Sequence, residues 1–217
     1  MPEKISRESM IELARSFCVV ESQSDHAELY GVTDGKAVGT FMEHRFQALV
    51  LEKYDISGGS SAKGIDLPGI NTDIKVTSIK QPQSSCPFKS ARQKIYGLSY
   101  DLLLFVYDKK DDAARRASRL TFVCCALIEQ RRTADFQTTR GLLNILKQEG
   151  NHDDIIGYLT ERNLPADEIT LNQLEDEILK NPPEQGYLTM SNALQWRLQY
   201  GRIVALEKSM DGIEKIL

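Results

Sequence analysis

Several features that would indicate a particular class of protein are missing from this sequence of 217 residues. No apolar run approaches the roughly 20 residues that a membrane-spanning helix needs. The four cysteines show no C-x-x-C spacing, which argues against a zinc site. The ATP-binding motif G-x-x-x-x-G-K-[ST] and the nucleophile motif G-x-S-x-G are also absent. We therefore expect a cytoplasmic protein with reduced thiols and no built-in ATP motor.

The overall charge and its distribution give different indications about the partner. Hydrophobic residues make up 41% and charged residues 27% of the chain, which is ordinary for a globular protein with a core. The net charge of −4 taken alone argues against nucleic acid as a partner. Basic residues are concentrated between Lys75 and Arg132, however, whereas acidic pairs such as Asp153 and Asp154 lie further along. A nucleic-acid partner therefore stays open.

Hydrophobic periodicity predicts an α/β fold for residues 1–132. Apolar residues recur at helical spacing in residues 6–17 and 38–54. Residues 72–79 are β-branched and alternating, and the apolar runs at 101–107 and 120–128 are typical of strands buried on both faces. This order of elements predicts an α/β core with a mixed central β-sheet flanked by helices.

The pattern changes after Arg132, and residues 133–217 are expected to form a helical C-terminal part. The predicted helices lie at 136–148, 155–162, 171–179 and 191–198, and a short strand is predicted at 202–206. Residues 186–203 also have the pattern of the second helix of a helix-turn-helix. We divide the chain into a core at 1–132 and a helical part at 133–217, with one continuous domain as the alternative.

The strongest chemical signal is the segment GIDLPGINTDIKVTS. Asp66 and Asp73 are separated by six residues that include the turn signal Pro68-Gly69. Strand geometry puts Asp73 and Lys75 on one face, and pairing across the turn brings Asp66 to the same place. Two adjacent carboxylates repel unless a cation lies between them, and Mg²⁺ prefers oxygen ligands. A lysine beside a metal-bound water suits phosphodiester hydrolysis, because it orients the water or stabilises the charged transition state.

This arrangement resembles the PD-(D/E)XK motif of the restriction-endonuclease-like nuclease superfamily, with Ile65 where the family often has proline. The resemblance implies that Asp66 and Asp73 bind Mg²⁺, for which Mn²⁺ can substitute, and that Lys75 assists the attacking water. The gap between the acids is similar to that in the mismatch-repair nicking endonuclease and its restriction-enzyme relatives. In those proteins the helix before the motif supplies a further metal-binding glutamate.

Two glutamates in the preceding helix are candidates for this additional acid. Glu43 follows Gly39 in the G-x-x-x-E pattern that the superfamily's first helix often shows. Glu52 lies fourteen residues before Asp66, as the glutamate of the nicking enzyme does. A separation of nine residues puts the two on opposite faces of a helix, so one of them is expected in the site. We favour Glu43 and keep Glu52 as the alternative.

Polar and basic residues beyond the motif are candidates for DNA contact. Hydroxyl groups and cations bind phosphates, while amide and guanidinium groups read base edges. The candidates are Ser78, Gln81, Ser85, Arg92, Lys94, Gln137, Arg140 and Arg197. A polar loop or a solvated helix face is the alternative interpretation of each.

The resemblance predicts a type II restriction endonuclease that hydrolyses double-stranded DNA at a short palindrome with Mg²⁺. A small chain without a motor suits a homodimer, since two-fold protein symmetry matches a palindromic site. A cognate DNA methyltransferase is a further expected partner. Two alternatives stay open: a nicking or repair endonuclease, and a non-catalytic DNA-binding module that uses residues 133–217.

Overall fold

The computed structural model describes residues 3–56, 64–85, 90–191 and 196–217. The chain divides into two compact units. Unit 1 comprises Met1–Ser84, Tyr100–Ile128 and Leu206–Leu217, and unit 2 comprises Ser85–Ser99 and Glu129–Ala205. Within the described ranges, no helix is both long and apolar enough to cross a membrane.

Long strands lie in the first part of the chain, and helices predominate after residue 132. The α-helices are α1 (Arg7–Gln23), α2 (Gly35–Lys53), α3 (Arg92–Tyr96), α4 (Phe136–Lys147), α5 (His152–Glu161), α6 (Glu168–Lys180) and α7 (Gly201–Val204). The strands are β1 (Glu3–Lys4), β2 (Asp25–His26), β3 (Tyr54–Asp55), β4 (Thr72–Ser78), β5 (Gln83–Ser85), β6 (Asp101–Asp112), β7 (Ala117–Ile128), β8 (Thr189–Met190), β9 (Arg197–Gln199) and β10 (Ile213–Lys215).

Unit 1 is built around a β-sheet with the strand order β10-β7-β6-β4, in which β2 also pairs with β7. Strand β4 runs parallel to β6, with Thr72 opposite Asp101 and Ser78 opposite Tyr107. Strands β6 and β7 form a long antiparallel hairpin, and β10 pairs antiparallel with β7. Helix α1 packs against β7, and α2 packs against β4. The predicted mixed central sheet flanked by helices is therefore confirmed.

The core of unit 1 explains why its apolar runs become the central strands. Residues 102–106 of β6 are completely buried, as expected for a strand covered on both faces. Phe17 of α1, Phe46 of α2 and Phe105 of β6 meet with ring centroids 5.0, 5.2 and 5.6 Å apart. Burial of one such side chain contributes about 1.5–3 kcal/mol. These contacts hold both helices on the same face of the sheet.

Unit 2 has a separate core between its helices. Its buried residues from α3 to α6 include Ile95, Leu142, Ile155, Leu159, Leu174 and Ile178. The hairpin of β8 and β9 and the short helix α7 complete the described part of this unit.

Two predictions for the end of unit 2 are wrong. Residues 197–199 form β9 instead of ending a helix over 191–198, because Leu198 is buried and pairs with Met190 across the hairpin. Residues 201–204 form α7 instead of a strand, with hydrogen bonds of 3.0 Å that close a helical turn. The described part of 186–203 therefore does not match the second helix of a helix-turn-helix. Residues 192–195 of that prediction lie outside the described residues.

The two units are not consecutive halves of the chain. Residues 85–99 belong to unit 2, and the chain returns to unit 1 at Leu206, so that β10 pairs with β7. The sequence predicts one boundary, at residue 132, near the end of β7. A strand contributed by the last residues of the chain leaves no local signal of its partner, because pairing joins residues that are distant in sequence.

Candidate active site

Strand β4 presents the D-x-K pair on one side of the sheet. Asp73 is 5% exposed, and its carboxylate forms an ion pair with the ammonium group of Lys75. Lys75 Nζ also donates a hydrogen bond of 3.1 Å to the carbonyl oxygen of Ile74. Side chains two residues apart in a strand lie on the same face, and the opposite charges stabilise each other there.

A tight turn before β4 brings Asp66 to this pair. The next residue, Leu67, forms an antiparallel bridge with Thr72 through hydrogen bonds of 2.9 and 3.2 Å. Pro68–Ile70 makes a single 3-10 turn between them. Asn71 closes it with a φ of 50°, a left-handed conformation that asparagine tolerates better than most residues. The Pro-Gly signal in the sequence thus corresponds to a turn that reverses the chain onto β4.

Both oxygens of the Asp66 carboxylate accept hydrogen bonds. Oδ2 accepts from the backbone N–H of Ile74 at 2.8 Å, and Oδ1 accepts from Gln47 Nε2 at 2.7 Å. Gln47 is not among the site residues predicted from the sequence. It lies one helical turn after Glu43, and this spacing is the signal that would have found it.

Helix α2 reaches the site because Gly39 lets it pass close to β4. A Cβ atom at Gly39 would lie 2.8 Å from the carbonyl oxygen of Val76, too close for a larger residue without a shift of the backbone. Glu43 and Gln47 follow at intervals of four residues, so all three residues lie on one side of α2. The G-x-x-x-E pattern therefore has a physical basis: the glycine allows the close approach, and the glutamate lies one turn further along.

The structure separates the two candidate glutamates. Glu43 is half-buried, and burial raises the pKa of its carboxyl group. The positive charge of Lys75 lowers this pKa and the negative charge of Asp73 raises it, which places Glu43 within electrostatic range of β4. Glu52 is exposed, on the side of the helix opposite Glu43. Glu43 is thus the helix glutamate that lies near the two aspartates.

The electrostatic balance at this site is negative. Burial, a hydrogen bond with Asp73 and the negative charges of Asp73 and Glu43 together raise the pKa of Asp66 to about 7. The backbone N–H of Ile74 acts in the opposite direction. The three carboxyl groups carry more negative charge, when ionised, than Lys75 compensates. A cation between them would relieve this repulsion.

The chemistry of these donors fits a Mg²⁺ ion with few protein ligands. Asp66 and Asp73 are within hydrogen-bonding range of each other and supply hard oxygen atoms. Among the residues that the structure describes, no group of three or more His, Cys, Asp or Glu side chains is arranged to hold a metal. Mg²⁺ usually binds through one or two carboxylates and completes its octahedron with waters and substrate phosphates. Two aspartates are therefore a sufficient protein contribution.

Two of the predicted DNA-contacting residues follow β4 in unit 1. Ser78 ends the strand, and its hydroxyl accepts a hydrogen bond of 3.2 Å from the backbone N–H of Lys80. Gln81 is exposed, and its carbonyl oxygen accepts a hydrogen bond of 3.3 Å from the hydroxyl of Thr77. The loop is thus shaped by local hydrogen bonds, and the side chain of Gln81 faces solvent.

The remaining predicted DNA-contacting residues belong to unit 2, and they are Ser85, Arg92, Lys94, Gln137, Arg140 and Arg197. The guanidinium group of Arg92 forms an ion pair of 2.6 Å with Glu177. The amide oxygen of Gln137 accepts a hydrogen bond of 3.1 Å from Arg162. Ser85 and Arg140 are exposed, and Arg197 is half-buried. Arg92 and Gln137 thus already have partners within unit 2.

The predicted DNA contact at Lys94 needs correction. Its side chain is 1% exposed, and burial lowers the pKa of its ammonium group, while the carboxylate of Asp135 raises it. Nζ lies 5.4 Å from the centre of the Trp196 ring. An ammonium group buried in this way cannot touch a phosphate in the described conformation. The basic character of the segment did not reveal that one side of α3 packs inward.

Comparisons with known proteins place the chain among the type II restriction enzymes. The sequence profile of the family described as type II restriction enzyme NspV matches residues 4–215. The type II restriction enzyme NspV of Nostoc sp. (strain ATCC 29411 / PCC 7524) is 56% identical over 200 residues, which cover 92% of this chain and 91% of that protein. No solved structure matches the chain significantly. The chain belongs to the NspV family, and the predicted class of type II restriction enzyme is confirmed.

Proposed function

We propose that this restriction enzyme is a Mg²⁺-dependent endonuclease of the PD-(D/E)XK superfamily, which hydrolyses both strands of double-stranded DNA at a short specific site. The observation that carries the proposal is the convergence of Asp66, Asp73 and Lys75 at β4. Family membership supports DNA as the substrate. The surplus of negative charge supports a bound cation, because the carboxylates repel each other without one.

Asp66 and Asp73 would hold the metal ion, with Glu43 close enough to add its negative charge. The bound metal supplies a water of lowered pKa and neutralises charge on the phosphate. Mn²⁺ would substitute for Mg²⁺, since both accept carboxylate and water oxygens. Glu52 is exposed and has no role in this proposal.

Lys75 would assist at the reacting phosphate. Its side chain is 20% exposed, so the ammonium group is open to a substrate on one side while Asp73 holds it on the other. From this position it would orient the attacking water or donate to a non-bridging phosphate oxygen, and either interaction stabilises the negative charge that grows in the transition state. The ion pair with Asp73 keeps Lys75 in place before DNA binds.

We further propose that the enzyme acts as a homodimer on a palindrome, because two identical sites related by a two-fold axis cut the two strands symmetrically. In this proposal residues 133–217 contact DNA or the second subunit. Gln81, Ser85 and Arg140 are exposed and are among the candidate DNA contacts in this proposal. A cognate DNA methyltransferase would protect the host sequence.

The experiment is digestion of a complex DNA with the purified protein and Mg²⁺, followed by sequencing of the fragment ends. We expect fragments whose ends share one short sequence. Asp73→Ala should abolish cleavage and retain DNA binding, whereas the control Asp176→Ala, which changes a residue exposed on α6, should cut as the wild type does. Uncut DNA with the wild-type protein in both Mg²⁺ and Mn²⁺ would refute the proposal.

A further inference from the structure

Gln47 has no reacting atom to offer, yet its side chain makes the shortest described hydrogen bond to Asp66. Gln47 Nε2 donates to Oδ1 at 2.7 Å, and the backbone N–H of Ile74 donates to Oδ2 at 2.8 Å. The two donors come from different elements, α2 and β4. A carboxylate held at both oxygens from two directions cannot rotate freely about its side-chain bond. The lone pairs of the two Asp66 oxygens that do not accept these hydrogen bonds therefore point in a fixed direction.

We propose that Gln47 is a positioning residue for the metal site: its amide group fixes the orientation of the Asp66 carboxylate so that the free lone pairs face Asp73. This inference rests on the proposed function, in which both aspartates hold the ion. Groups that hydrogen-bond to metal ligands set the orientation of those ligands, and their loss typically weakens metal binding about 10–100-fold.

The chemical nature of glutamine suits this position. A lysine or arginine would donate a hydrogen bond but would also bring a positive charge that competes with the metal. A glutamate would add a fourth carboxyl group beside Glu43, Asp66 and Asp73 and could not donate when ionised. An amide group donates a hydrogen bond but carries no charge. It therefore orients the Asp66 carboxylate without weakening the attraction of the carboxyl groups for a cation.

Gly39 explains how an amide of this length reaches Asp66. The close approach of α2 to β4 at Val76 is possible only because residue 39 has no side chain. Gln47 lies two helical turns further along the same side of α2 and is half-buried. The distance from helix to strand, set at Gly39, therefore determines whether the Gln47 amide meets the carboxylate.

The test compares Gln47→Met, which keeps the length of the side chain but removes the donor, with the matched control Gln23→Met on the exposed end of α1. Mn²⁺ is titrated into each whole protein without DNA, and the Mg²⁺ dependence of cleavage is measured separately. For Gln47→Met we expect Mn²⁺ affinity to fall about 10–100-fold and the Mg²⁺ concentration for half-maximal cleavage to rise by a similar factor. The rate at saturating Mg²⁺ should recover, and the melting temperature should match that of the control.

Two results would overturn the inference. One is unchanged Mn²⁺ affinity in Gln47→Met, and the other is a cleavage rate that is reduced equally at every Mg²⁺ concentration. If Gln47→Met does not fold, Gln47→Asn, which keeps an amide on a shorter arm, is read by the same two criteria. Failure of the proposed function looks different, because wild-type protein would then bind Mn²⁺ no better than Asp66→Asn.

Discussion

Asp66 in unit 1 is half-buried and Asp135 in unit 2 is buried, and the surroundings of the two aspartates have opposite character. Asp135 is 1% exposed and caps α4, where Oδ2 accepts hydrogen bonds of 2.9 and 2.7 Å from the backbone and hydroxyl of Thr138. Its Oδ1 accepts a hydrogen bond of 2.9 Å from the backbone N–H of Met190. Arg162 lies 3.8 Å from Oδ2. Each of these neighbours is a hydrogen-bond donor or a positively charged group.

Asp66 has two donors as well, but its other neighbours are Asp73 and Glu43, whose negative charges add to the effect of burial and raise its pKa to about 7. A buried charge surrounded by donors supports the fold, whereas buried charges of one sign cost stability and attract a counter-ion. The comparison shows that burial alone does not mark a functional aspartate. The sign of the surrounding charges marks it instead. Ionisable groups with strongly shifted pKa values are concentrated at functional sites.

Among the comparisons between the two regions, the largest expected effect comes from removing the positive charge of Lys75 beside the three carboxyl groups. Lys75→Met should lower the single-turnover rate of cleavage about 100–1000-fold, because the transition state loses its stabilising ammonium group. Lys80→Met changes an exposed lysine just after β4 and serves as the matched control. Equal rates for the two variants would show that Lys75 only neutralises Asp73.

The next prediction concerns Asp135, whose loss should affect stability instead of cleavage. Asp135→Ala should lower the free energy of unfolding by about 3 kcal/mol, because three donors lose their acceptor inside the protein and Arg162 loses its nearby carboxylate. Asp167 also caps a helix, through a hydrogen bond of 2.8 Å to the backbone of Thr170, but it is exposed. Asp167→Ala should therefore cost much less stability than Asp135→Ala. Urea denaturation measures both losses, and equal values would contradict the role given to the buried network.

The pH dependence of stability should reveal the raised pKa of Asp66. The folded-state pKa of Asp66 is raised to about 7, above its ordinary value of about 3.9. Its contribution to stability is therefore fully present below pH 4 and is lost as pH rises through 7, with a slope of at most about 1.4 kcal/mol per pH unit. Asp66→Asn should remove this slope in metal-free protein. Denaturation at pH 5, 6, 7 and 8 measures it, and an unchanged slope in the variant would assign the dependence to other groups.

The smallest expected effect separates the two helix glutamates. Glu43→Gln should weaken cleavage about 10-fold at limiting Mg²⁺, since the site loses part of its attraction for the ion. Glu52→Gln, on the opposite side of α2, should leave cleavage unchanged. A loss in Glu52→Gln with none in Glu43→Gln would reverse the assignment.

Residue spacing predicted most elements of the fold, because helices and strands have periods that are visible over a few turns. The apolar runs of β6 and β7 indicated buried strands, and both strands are there. Residues 197–199 and 201–204 were assigned to the wrong elements, since the hairpin that pairs Leu198 with Met190 depends on a partner strand instead of on periodicity. The pairing of β10 with β7 was missed for the same reason.

For the candidate site too, some residues could be predicted from the sequence and others only from the tertiary structure. Asp66, Asp73 and Lys75 could be grouped from the chain alone, because a turn and a strand with a period of two bring together residues that are close in sequence. Only the tertiary structure placed Glu43 near them, gave Asp66 its contact with Gln47 and buried Lys94. Those outcomes depend on which side of a helix packs inward and how closely it approaches the sheet, and the contact between α2 and β4 at Gly39 determines that distance.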